Sequence, residues 1–207
     1  MEKTILAKST GNYYKAKTKP ELVTIEKAQY VSIRGKGDPN GQPFADKVQA
    51  LYTTAYTLKF MFKERDLDFT VPKLEALWWF DIEKYRDLGL AEAPLKIPRD
   101  EWEYRLLIRM PAFITPEEVK KAIQSVVGEK QLKLANEIEW YKMMGGTFVQ
   151  MLHVGPFEKE PETLLQMETF IREKGLRKNR LHHEIYLSDF RLTPPEKFKT
   201  ILREPIK

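Results

Sequence analysis

The chain has no cysteine, which excludes disulfides and thiolate chemistry. Histidine is scarce as well: only His153, His182 and His183. No apolar run is long enough to cross a bilayer. The opening MEKTILAK carries neither a long apolar segment nor a small-residue cleavage signature, so neither a secretory leader nor a membrane partner is expected. Charge of one sign is missing too. The 35 Lys and Arg residues face 30 Asp and Glu, a net +5, and the basic residues are spread rather than blocked. Without a basic stripe, direct contact with nucleic acid is not expected. A reducing cytoplasm is compatible with these absences and is the expected location.

What remains is a 207-residue chain, 42% hydrophobic and 31% charged, which is enough to bury a sizeable core. Residues 1–24 are polar and lysine-rich and read as an arm that either covers a groove or braces the body. KAQYVSIR at 27–34 alternates as a strand, and the Gly-, Pro- and Asn-rich stretch 35–43 reads as a loop. From 44 to 62 the apolar positions Phe44, Val48, Leu51, Ala55, Leu58 and Phe62 recur at helical steps, with Tyr52 and Tyr56 forming an adjacent stripe. Residues 69–81 read as a strand interrupted by Pro72, and 102–110 as another. Thr115 before Pro116, Glu117 and Glu118 opens a helix. Residues 133–139 are an outer strand or irregular. A strand at 146–153, a helix at 160–173 closed by Gly175, and strands at 182–188 and 199–206 complete the chain.

The order strand, helix, strand, strand therefore occurs twice. YVSIRGKG (30–37) matches FVQMLHVG (148–155), LEALWW (74–79) matches HEIYLS (183–188), and YRLLIRMP (104–111) matches TILREPIK (200–207). Such a repeat implies duplication about a pseudo-two-fold axis. The expected fold is α+β, a pseudo-two-fold duplication of a β-α-β-β module forming antiparallel sheets with helices and a central groove. The whole chain, 1–207, is expected to be one domain, with module one at about 25–111 and module two at about 131–207.

The stretch RLHHEIYLSD at 180–189 holds an acid inside an apolar run, and a charge there needs a partner, water or a use. Alternation puts His182, Glu184, Tyr186 and Ser188 on one face and His183, Ile185 and Leu187 on the other. The repeat, matched as above, sets Glu75 against Glu184 across the groove between modules. Trp79, Trp78, Tyr186, His182 and either Tyr52 or Tyr56 would line it. Aromatic walls hold flat apolar or cationic groups, and two close carboxylates would drive one pKa up, leaving a proton available for general acid work. Other chemistry fails on its residues. GKGDPNG lacks the Gly-Lys-Ser or Gly-Lys-Thr ending of a phosphate loop and the dinucleotide fingerprint. Adjacent His182 and His183 point to opposite faces, so no metal is expected. No cofactor is called for, and nothing in the residues sets the oligomeric state.

KAQYVSIRGKGDPNG, KLEALWWFD, VQMLHVGPF, HHEIYLSDFR and KTILREPIK together resemble the GyrI-like small-molecule-binding family, over roughly residues 12–207. The resemblance implies a pseudo-symmetric pair of modules around a central groove, a fold shared with effector-binding domains of multidrug-responsive transcription activators. The family's pocket glutamate falls on Glu184, its aromatic neighbour on Tyr186, and the first-module strand on Glu75, Trp78 and Trp79. These residues include no match to the activators' DNA-binding domain and are longer between modules than the compact gyrase inhibitor, so neither direct promoter regulation nor gyrase binding is expected. Some stand-alone members open the cyclopropane ring of DNA-alkylating natural products with water. The resemblance thus implies a binder of flat aromatic or cationic small molecules, a hydrolase of that kind with Glu184 and Glu75 as its catalytic carboxylates, or a protein-interaction module.

Overall fold

Among the described residues the apolar alternation in the sequence becomes eight strands, and the helical periodicity four helices. They are β1 (Glu21–Ile25), β2 (Ala28–Lys36), α1 (Gln42–Lys63), β3 (Leu74–Trp79), α2 (Ala93–Lys96), β4 (Glu103–Met110), α3 (Pro116–Glu129), β5 (Glu139–Met143), β6 (Gly146–Val154), α4 (Glu160–Glu173), β7 (His182–Tyr186) and β8 (Lys199–Pro205). This computed structural model describes residues 11–179 and 181–207; residues 1–10 of the expected arm and Arg180, which opens the RLHHEIYLSD run, lie outside the described residues.

All ladders are antiparallel and form one sheet in the order β1-β6-β8-β7-β3-β4-β2-β5. The triplet β3-β4-β2 is mirrored by β7-β8-β6, and β3 meets β7 at the centre. β1 and β2 are joined only by Glu26 and Lys27, and β5 and β6 only by Met144 and Gly145, yet β1 and β5 occupy the two ends of the sheet. Links that short force the sheet to curl into a half-barrel until its ends approach. The two linkers then cross. A Cβ on Gly145 would lie 2.6 Å from the Ile25 carbonyl oxygen and 2.8 Å from the Lys27 nitrogen.

The helices cover the outer face. Leu51, Leu58 and Phe62 of α1 pack with Val31, Ile33 and Leu106, and Leu164 and Met167 of α4 pack with Val149, Met151 and Leu202. The inner face, wrapped by the curl, carries Tyr30, Leu77 and Leu107 on one half and Phe148, Ile185 and Ile201 on the other. Local signals act as their chemistry dictates. Thr115 accepts a hydrogen bond from the Glu118 amide at 3.3 Å to cap α3, and Gly175 takes the left-handed conformation (φ +65°) after α4.

The strand expected at 182–188 ends at Tyr186, and three other boundaries differ more from expectation. The region 69–81 is a strand only at Leu74–Trp79, because Pro72 has no N–H for a ladder. Residues 133–139 form a 3-10 turn, Lys133–Glu137, that leads into β5. The arm contains the edge strand β1, which pairs with β6. An edge strand buries little, and ELVTI shows correspondingly weak alternation.

The repeat has one correction of larger consequence. Leu106 pairs with Ile33 on one side and Ala76 on the other, and its counterpart Leu202 pairs with Met151 and Glu184. The first and third sequence matches place Ile33 with Met151 and Leu106 with Leu202. The counterpart of Glu184 is therefore Ala76, and that of Glu75 is His183. The middle match slips by one residue, and a one-residue slip exchanges the faces of every side chain.

Gly145→Ala tests the crossed linkers. We expect a loss of roughly 1–3 kcal/mol, the usual cost of overpacking against atoms that cannot yield, read as a lower urea midpoint. An unchanged midpoint would contradict the close crossing.

Candidate functional site

A cavity of about 610 Å³ opens on the outer face where β3 meets β7, bounded by the start of α1, the segment 80–102 and α4. Its floor comes from Trp78, His182, Glu184 and Tyr186. Alternation presents these outward: Ala76 pairs with Glu184 and Trp78 with His182 across the central ladder. Phe80, Tyr85, Trp102 and Phe157 supply aromatic walls. Trp78 stands edge-on to Trp102 with centroids 6.1 Å apart, and Phe157 edge-on to Tyr186 at 6.0 Å.

The floor is a single chain of hydrogen bonds and ion pairs. The Trp78 Nε1 donates to the Tyr186 hydroxyl at 3.1 Å, and that hydroxyl donates to Glu184 Oε2 at 2.6 Å. Glu184 Oε1 faces His182 Nε2 at 3.2 Å. His182 Nδ1 contacts Glu204 Oε1, and Glu204 Oε2 lies 3.2 Å from the Lys178 ammonium. Burial works to lower the His182 pKa, but the carboxylates of Glu204 and Glu184 outweigh it and push it up to about 10. Burial would raise Glu204, and His182 with Lys178 instead holds it below the usual carboxylate range. Burial, then the charge of Glu184, drives the Tyr186 phenol well upward, so it stays a donor.

Glu160, at the start of α4, also lines the cavity and is buried. Its Oε1 has no hydrogen-bond partner. Burial, followed by repulsion from Glu184, raises its pKa well above the usual carboxylate range. The cavity thus holds two carboxyls in unlike settings: Glu184 is hydrogen-bonded by Tyr186 and faces His182, whereas burial disfavours the charged form of Glu160.

The structure brings Glu184, Tyr186, His182 and Trp78 together. Trp79 borders the cavity, while its side chain packs with the Tyr30, Leu77 and Met143 cluster of the inner face. Tyr52 and Tyr56 do not line it. Their rings sit 6.4 Å apart along α1 and continue to Phe60, and Tyr56 is 45% exposed. The expected opposition of Glu75 and Glu184 does not occur. Glu75 pairs with Ile185, points to the inner face, and is fully buried. It accepts from Tyr13 at 2.6 Å and contacts His183 Nε2 at 2.8 Å. Sequence reasoning passed over Glu160, Glu204 and the walls of 80–102. Glu204 had a readable signal, an acid within the apolar strand ILREPI, the same feature that singled out Glu184. Glu160 read only as the first residue of the helix at 160–173.

A curled antiparallel sheet of two related halves, with a ligand-sized cavity at their junction, defines a duplicated α+β binding fold. The family profile for the GyrI-like small molecule binding domain matches residues 111–207. The crystal structure of an uncharacterized conserved protein from Listeria innocua aligns at 34% identity and TM-score 0.84, covering 97% of this chain and 98% of that one. A hydrolase from Listeria innocua aligns at 34% identity and TM-score 0.81 with the same coverage. The C-terminal domain of EcmrR shares the fold at TM-score 0.57 and 10% identity, over 91% of this chain and 97% of that one. No curated protein matches the sequence. The chain belongs to the GyrI-like small-molecule-binding family. Among the described residues no helix is long and apolar enough to cross a membrane.

The charged floor has a pH signature. An unfolded histidine titrates near about 6.5, and His182 in the fold near about 10. The folded protein holds an extra proton between these values, so this contribution is complete below about pH 6.5 and is lost as pH rises toward about 10. The urea midpoint should fall over that interval, and His182→Gln should flatten the fall. Parallel slopes for the two proteins would contradict the assignment.

Proposed function

We propose that the outer-face groove binds flat aromatic small molecules, with Glu184 as the fixed hydrogen-bond acceptor. The observation that carries this reading is a carboxylate clamped between Tyr186 and His182 at the base of a cavity of about 610 Å³ with aromatic walls. That volume lies within the common range for small-molecule sites, roughly 300–1,000 Å³. The carboxylates of Glu184 and Glu204 are met by His182 and Lys178, and burial disfavours the charged form of Glu160. Affinity then comes mainly from the rings, and a cationic ligand is accepted through contact with Trp78 and Glu184 rather than drawn in by net charge. Planar dyes, cationic and neutral, should quench tryptophan fluorescence on titration, and Trp78→Ala or Glu184→Gln should weaken binding about tenfold or more, as for loss of a buried contact of roughly 1–3 kcal/mol. Failure of a broad aromatic panel to bind would overturn the reading.

A second reading is favoured by the unlike pair Glu184 and Glu160 and by the hydrolase from Listeria innocua, 34% identical over almost the whole chain. In it the groove hydrolyses an electrophilic cyclopropane conjugated to a carbonyl. Water attacks a ring methylene, the strained C–C bond breaks, and its electron pair passes to the carbonyl oxygen. Glu184 takes the proton from water, and Glu160 gives one to that oxygen, so the sum is addition of one water. Glu75, on the other face, has no part in this step. Mass analysis should show a ring-opened product with the native protein. Glu184→Gln should slow its formation roughly 10²–10⁴-fold, the usual weight of a positioned base. A rate equal to buffer, or an unaffected variant, would remove this reading and leave binding alone.

A further inference from the structure

The inner face of the half-barrel carries a second constellation that the groove does not use. Six strands contribute to it: Tyr30 from β2, Glu75 from β3, Arg109 from β4, Gln150 from β6, His183 from β7 and Arg203 from β8. The arm threads past them and inserts Tyr13. The guanidinium carbons of Arg109 and Arg203 each lie 4.4 Å from the centre of the Tyr13 ring. The Tyr13 hydroxyl donates to Glu75 Oε2 at 2.6 Å, which leaves the Tyr30 hydroxyl to donate to the Tyr13 oxygen at 2.9 Å. Arg203 Nη2 donates to the Tyr13 carbonyl, and Gln150 donates to the Lys15 carbonyl at 3.0 Å.

Tyr13 belongs to no strand or helix. It is held as a ligand is held, by two stacked cations, a carboxylate for its hydroxyl and a guanidinium for its carbonyl. Two further observations show that a single tyrosine does not exhaust the site. Arg203 Nη1 and His183 Nδ1 are buried without hydrogen-bond partners, on side chains that are 0% and 1% exposed. Unmet polar groups at such depth are uncommon and ask for an explanation. In addition, a cavity of about 670 Å³ adjoins the arm, lined by Tyr13, Lys15, Arg109 and Gln150 among others. Arg109 makes no ion pair among the described residues.

We propose that the inner face is a second ligand site, for planar 4-hydroxyphenyl compounds that carry a carboxylate at the far end, and that Tyr13 occupies it until such a ligand displaces the arm. The hydroxyl would meet Glu75 and Tyr30, the ring would lie against the two arginines, and the carboxylate would take the Arg203 donors that the Tyr13 carbonyl leaves partly unused. The carboxylate also answers the uncompensated Arg109. The site is independent of the groove, since the sheet separates them.

The probe is 3-(4-hydroxyphenyl)propionate, which reproduces the hydroxyl, the ring and the acceptor of Tyr13; 3-phenylpropionate lacks only the hydroxyl. In full-length Tyr13→Ala, calorimetric titration and thermal shift should show binding of the phenol at least tenfold tighter than of its hydroxyl-free analogue, because the analogue lacks the hydroxyl donor that Glu75 Oε2 takes from Tyr13. Adding Glu75→Gln should remove that discrimination. In the native protein the phenol should bind more weakly and should speed tryptic cleavage after Lys15 and Lys17 several-fold by freeing the arm. A folded Tyr13→Ala that takes up neither compound, or both equally, overturns the proposal. If Tyr13→Ala does not fold, the native cleavage assay decides: an unchanged rate at millimolar phenol overturns it.

Discussion

The pairing of β3 with β7 is the contact on which the rest depends. It joins the two halves, and its register, Ala76 with Glu184 and Glu75 with Ile185, sends two acids in opposite directions. Glu184 looks out beneath the helices into an aromatic groove. Glu75 looks into the curl and is covered by the arm. Because side chains alternate strictly, no adjustment short of a register change could bring both acids to one ligand.

On each face a central acid is met by partners rather than by water. Outside, His182 stands between Glu184 and Glu204, with Lys178 beyond. Inside, Glu75 is met by Tyr13, Tyr14 and His183, with Arg109 and Arg203 both against the Tyr13 ring. Buried ionic groups of this kind contribute little net stability, because desolvation offsets their attraction. What they supply here is fixed orientation, which holds the Glu184 oxygens in place before a ligand arrives. Glu160 differs from them: its Oε1 has no hydrogen-bond partner, and burial disfavours its charged form.

Much of this was legible in the residues. The duplication, the helices at α1 and α4 and the cap at Thr115 follow from periodicity and turn chemistry, and Glu184 with Tyr186 and His182 was marked by an acid in an apolar strand. The failure at LEALWW came from matching glutamate to glutamate. Function-like identity overrode the flanking ladders, whose spacing alone sets the alignment. Tyr52 and Tyr56 misled because a helix displays aromatic stripes on any side, and periodicity does not say which side meets the groove. Tyr13 and the walls at 80–102 come from irregular segments without a repeating pattern. Their positions are fixed only by the closed sheet.

The register can be read directly, because the chain has no cysteine of its own. Two double variants, Ala76→Cys with Glu184→Cys and Glu75→Cys with Glu184→Cys, should be oxidised and scored for an intramolecular disulfide by mass. Directly paired residues hold their Cβ atoms about 4.5–5.5 Å apart on one face, whereas residues on opposite faces point their Cβ atoms away from each other and cannot be bridged. The account predicts a disulfide in the 76/184 protein and none in the 75/184 protein. A disulfide between 75 and 184, with none between 76 and 184, would contradict it.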